Sequence, residues 1–140
     1  MKKKMLKIWP LAMVLVAVIF YFLPKGGDIR PVRREIGESV HFSQEDIESA
    51  MQIAEKHFKK EFEGCTLWTV TYEEDFSDRL APGWAENYGV EEAIVLYSSF
   101  WVDGAKAEAC FNPDSMYTKW QWVLTRNPGE NWKLQTWGYG

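Results

Sequence analysis

Side chains that do chemistry are scarce in this 140-residue chain, which has two histidines, His41 and His57, and two cysteines, Cys65 and Cys110. No serine, histidine and acid stand at the spacing of a known hydrolase motif, so nucleophilic catalysis has no signature here. His57 and Glu61 sit at i and i+4, but no second His or Cys shares their helical face, which makes them an ion pair rather than half a metal site. The run Glu73, Glu74, Asp75 and Asp78 lacks the glycine and closing glutamate of a calcium loop and reads as a solvated acidic turn. Cys65 has no histidine or basic helix terminus placed to activate it as a nucleophile. No metal, cofactor or catalytic residue is expected.

Charge is unevenly placed. Residues 1–34 hold eight basic side chains against Asp28 alone, while the remaining 106 hold eight basic and 19 acidic ones, so the overall −4 hides a +7 and a −11. A domain at −11 repels phosphate backbones, which excludes nucleic acid as a partner. A composition 46% hydrophobic and 16% aromatic excludes disorder for that domain.

Charge is absent altogether from residues 8–23, and the apolar run from Met5 to Leu23 is interrupted only by Lys7. As a helix those 19 residues would reach about 28 Å, against a hydrocarbon core of about 30 Å, with Lys7 able to snorkel. A cleaved signal peptide shares the basic start and apolar core, but residues 20–27 offer no A-x-A-like exit. Lipoprotein processing needs a cysteine just beyond the run, and the first is Cys65. Residues 1–23 are therefore expected to be an uncleaved signal-anchor helix with Trp9 and Tyr21 near its ends, and the membrane to be a partner through residues 5–23. Lys2, Lys3, Lys4 and Lys7 nearly tie with Lys25, Arg30, Arg33 and Arg34 across the run, but proximity favours the N-terminus inside and the acidic domain outside the cell membrane.

Residues 24–40, punctuated by Pro24, Gly26, Gly27, Pro31 and Gly37 and without apolar periodicity, read as a linker. Its Arg30, Arg33 and Arg34 are either solvated or within reach of anionic headgroups. The domain proper is expected over residues 41–140. Ser43 and Asp46 form a capping box with Phe42 and Ile47 as a hydrophobic staple, and Ile47, Ala50, Met51, Ala54, Phe58 and Phe62 make one helical stripe stopped at Gly64. Period two then takes over. Residues 66–72 alternate, with Trp68, Val70 and Tyr72 on one face. Residues 93–102 are apolar on both faces, residues 117–126 place Trp120, Trp122 and Leu124 together, and a turn at 127–131 leads into 132–139. The expected fold is α+β, one amphipathic helix on an antiparallel sheet of at least four strands, in a cystatin-like or nuclear-transport-factor-like cone arrangement.

The string 117–126 (YTKWQWVLTR), the ending 132–139 (WKLQTWGY) and Gly64-Cys65-Thr66-Leu67 resemble an uncharacterised family of secreted or membrane-attached domains of Gram-positive bacteria, over residues 43–140. The resemblance implies a small cone-shaped α+β fold. That family has no assigned activity, so no catalytic residue carries over. Many such members look like lipoproteins, whereas this chain has an anchor run in place of a lipidated cysteine.

Cys65 and Cys110 can pair in an oxidising compartment if 103–116 is a loop, but lie about 17–20 Å apart if 105–110 is a returning strand; the Asp103-Gly104 and Asn112-Pro113 signals favour the loop. On the central strand Val95, Tyr97 and Trp101 face one way and Ile94, Leu96 and Phe100 the other. The first set needs its own cover. Either a long loop at 76–92 with Trp84 and Tyr88 seals it, or Trp84, Tyr88, Tyr97 and Trp101 line a pocket for a small ligand or an envelope partner. The leading expectation is a membrane-tethered, extracytoplasmic, non-catalytic binding or interaction domain. The alternatives are a small cone-fold enzyme with an acid/base residue in the pocket, or a purely structural accessory membrane protein.

Overall fold

A computed structural model of the chain describes residues 26–105, 107 and 111–139. The run at 5–23 and Cys110 lie outside the described residues. Among the described residues no helix is long and apolar enough to cross a membrane.

The chain runs β1 (Arg33–Ile36), α1 (Gln44–Glu61), β2 (Cys65–Tyr72), α2 (Glu74–Tyr88), β3 (Glu92–Val102), β4 (Ser115–Arg126) and β5 (Lys133–Gly138). The fold is α+β. All five strands form one sheet in the order β1-β2-β3-β4-β5. Pairing is antiparallel except between β1 and β2, which α1 joins as a parallel crossover.

Helix α1 starts where the capping residues place it, the Ser43 hydroxyl accepting from the Asp46 amide at 3.1 Å. Its stripe of Ile47, Ala50, Met51, Ala54 and Phe58 is buried against the inner sheet face, which supplies Leu67, Val70, Tyr72, Ile94, Leu96, Phe100, Trp122 and Leu124. Phe42 packs edge-on to Tyr72 and Trp132 and closes one end of this core. Two polar groups inside it are matched: Trp122 Nε1 donates to Ser98 Oγ at 2.8 Å, and Glu55 accepts a two-pronged bond from Arg34.

Three local expectations are corrected. Residues 26–40 are not a free linker. Gly27 donates to the Lys59 carbonyl, Asp28 bridges to β2 through bonds with Cys65 and Leu67, and residues 33–36 add an edge strand. Arg34, read as solvated or lipid-facing, pairs instead with the buried Glu55, whereas Arg30 stays 85% exposed beside Asp28. The strand was hidden because edge strands survive in water by carrying charge, and Arg-Arg-Glu has no apolar alternation.

Most of 76–92 is not a loop, and the acidic run 73–78 is not a turn: residues 74–88 form α2, with Glu73 as its N-cap, Glu74 and Asp75 in its first turn and an αL cap at Gly89, φ 66°, leaving only 89–91 to connect it to β3. Pro82 and Gly83 disguise it. Both lie on the exposed side, where the amide that proline lacks costs only the bond to the Asp78 carbonyl. On the other side Phe76, Ser77, Leu80, Ala81, Trp84, Ala85 and Tyr88 recur at helical spacing and are wholly or partly buried. Helix α2 takes over where β2 runs out: β3 pairs with β2 only as far as Tyr97, and the Val95 amide beyond that point donates to Ser77 Oγ at 3.0 Å. An edge that would stand open is thereby satisfied by the helix.

The third correction concerns Trp68. A register shift between Leu67 and Thr69 inserts an extra residue, so Leu67, Val70 and Tyr72 point inward while Trp68 is turned out and left 44% exposed.

Candidate functional site

Four features of the described surface gather polar or aromatic side chains. The first lies where the segment before α1 meets the start of α2. Glu74 accepts from Ser39 Oγ at 2.6 Å, from the Val40 and His41 amides at 3.0 and 3.2 Å, and from Tyr72 Oη at 3.3 Å. The Ser39 hydroxyl above all holds the Glu74 carboxyl down at about 2, and burial pushes the Tyr72 phenol up to about 12. His41 Nδ1 stands 3.0 Å from Asp78 Oδ1 and 3.6 Å from Glu74 Oε1. His41, Glu74 and Asp78 can each offer one ligand atom to a cation. The carboxylate of Glu74 is nevertheless committed to four donors of its own fold, so its evident work is to pin residues 39–41 to α2. A cleft of about 320 Å3 opens beside it, lined by Ile36, Ser39, Phe42 and Ile47.

The second feature is a cleft of about 660 Å3 between α1 and the β4–β5 turn, lined among others by Asp46, Ile53, Arg126 and Trp132. Its one cation, the partly buried Arg126, is spoken for. Arg126 donates through Nε to Glu92 at 2.6 Å and through both terminal nitrogens to Asp46, and its plane lies 4.0 Å over the Trp132 ring. Arg126 draws the Asp46 carboxyl below the usual carboxylate range. The group ties helix, central strand and hairpin together and leaves no free charge for an anionic ligand.

The third is His57, which was expected to pair with Glu61. Its ring packs instead 4.1 Å from Trp137 and beside Trp122, and burial lowers its pKa below the ordinary imidazole value.

The fourth is the outer sheet face, where the aromatic pocket was expected. Trp84 and Tyr88 stack on each other along α2 at 6.0 Å. Tyr97 meets the first turn of α2: its ring touches Phe76 at 4.9 Å, its hydroxyl donates to Glu73, and Lys119 Nζ sits 3.8 Å over it. From there α2 passes over Val95 toward the start of β3, away from Trp101, which lies four residues or about 13 Å further along the strand. Trp101 is 37% exposed and stands between Thr66 and Met116. The four residues thus fall into three places, and neither of the two clefts is lined by them. The bare half of this face carries Trp68 and Met116 beside Trp101, two members that strict alternation conceals. Cys65 is buried at the start of β2, and its expected partner Cys110 lies outside the described residues. Between Val102 and Ser115 the described residues form a loop without a strand. No family model, curated protein or solved structure matches the chain.

Proposed function

We propose that this protein is a membrane-tethered interaction domain, held by residues 5–23 on the outer side of the cell membrane and acting without catalysis. The observation that carries the proposal is the distance between anchor and fold. The apolar run ends at Leu23, and Gly27 is already bonded to α1 through the Lys59 carbonyl. A domain joined by so few residues has no reach beyond the membrane surface, unlike one on a long flexible tether. The polar clusters support the same view: Glu74 and Arg126 spend their hydrogen bonds inside the fold, where a general acid or base would need one turned toward a substrate. An outward location would also supply the oxidising conditions under which Cys65 and Cys110 pair. The cone-type grouping with secreted Gram-positive domains belongs to this proposal and fits the helix-on-sheet layering.

Fractionation of bacteria expressing the full chain, followed by its intact mass, tests the tether. Full-length protein in the alkali-washed membrane pellet is expected. A soluble product lacking its first 25 or so residues would overturn the proposal.

A further inference from the structure

We infer that the bare half of the outer sheet face, centred on Trp101 with Trp68 and Met116, rests on the lipid interface in which residues 5–23 are anchored. The inference builds on the tether proposed above and names the partner of the exposed face: a zwitterionic phospholipid surface.

Chain connectivity sets the position. Two residues, Pro24 and Lys25, separate Leu23 from Gly26, three Cα steps with a reach of about 10 Å, and the polar layer of one leaflet is about 5–8 Å deep, so Gly26 sits at or just above the headgroups. Gly26 has little freedom there, since a Cβ on it would stand 2.0 Å from the Lys59 carbonyl oxygen. Asp28, next in line, bridges to Thr66; Thr66 pairs with Trp101, and Trp101 with Met116. These four residues form one row across the sheet. With strands about 4.8 Å apart, the row extends about 15 Å sideways from the tether. The edge of the sheet nearest the membrane is therefore the edge that carries the exposed rings.

Cover and chemistry select the occupant. The far half of the same face is sealed by α2, while the near half leaves Trp68 44%, Trp101 37% and Met116 49% exposed on neighbouring strands. Tryptophan belongs at a membrane interface, where its apolar body enters the acyl boundary and its N–H stays wet. Charge around the row is mixed: Lys59 and Lys60 at the end of α1 and the exposed Arg30 and Arg33 are offset by Asp28, Glu61, Glu63, Asp103 and Asp114. Ring insertion rather than attraction to anionic lipid must then hold the face down, so neutral lipid suffices and salt has little effect.

The test uses the full chain with Trp9→Phe, so that every tryptophan left is in the domain, reconstituted into phosphatidylcholine vesicles with or without lipid brominated high on its acyl chains. Bromine quenches indole on contact. Quenching of the Trp9→Phe chain is expected, unchanged between low and high salt, and lost when Trp68→Phe and Trp101→Phe are added with an unaltered thermal melt. Three results would overturn the inference. Flotation with the vesicles without quenching leaves the tether intact and turns the face away, toward a protein or a second copy. Quenching that survives both substitutions assigns the contact to other tryptophans. Failure to float at all removes the tether itself.

Discussion

Gly27 has no room for a methyl group: a Cβ there would lie 2.5 Å from the Phe58 carbonyl oxygen and 2.6 Å from its ring. Gly27→Ala must push the chain off α1, at a cost of about 1–3 kcal/mol, and should lower the melting temperature by roughly 4 °C for each of these. An unchanged melt would mean that residues 26–28 are not part of the folded unit. Tryptophans divide just as sharply. Trp122 is wholly buried with its N–H on Ser98, and its truncation to alanine should cost about 3–5 kcal/mol in chemical denaturation. Trp101→Ala should cost only about 1–2 kcal/mol, since that ring keeps much of its area in water. Equal losses would place Trp101 in a sealed core. The inward or outward sense of most of these side chains is legible in the sequence, because alternation from Ile94 to Phe100 and from Trp120 to Leu124 matches the pleat. Trp68 is not legible, because a bulge changes the count by one and leaves no mark in composition.

At the scale of elements, legibility follows how each segment is stabilised. Helix α1 has a cap, a stripe and a stop of its own, so its limits can be read directly. Strand β1 exists because β2 offers an open edge, and α2 persists through Pro82 because the outer face needs cover; both depend on partners distant in sequence. The joint between these segments is Glu74, and it is sensitive to acid. Its carboxyl titrates near 4.5 when unfolded and at about 2 when folded, so the stability it contributes is present above pH 4.5 and is lost as pH falls toward 2. Glu74→Gln should therefore melt lower than the parent at pH 7 and show a flatter decline between pH 5 and pH 2. Parallel curves for the two proteins would show that Ser39, Val40 and His41 are held by something else.

At the scale of the molecule, the α+β class and the hairpin at the end of the chain are visible in hydrophobic periodicity, whereas the exposed face is not, since it depends on how far α2 extends over the sheet. What the sequence offers toward function is the apolar run at 5–23, on which the proposed membrane address rests; under that proposal the hydrogen bonds of residues 27 and 28 would keep the domain beside the membrane. Sidedness is the most direct check on that address. Val40, 88% exposed and joined to Glu74 through its backbone amide, which cysteine keeps, can be replaced by cysteine and treated in intact bacteria with a maleimide that does not cross membranes. Labelling above the level of the unsubstituted chain, on protein recovered in the membrane pellet, is the expected result. Labelling that appears only after lysis, or only on protein outside the pellet, would contradict a domain tethered on the outer face of the membrane.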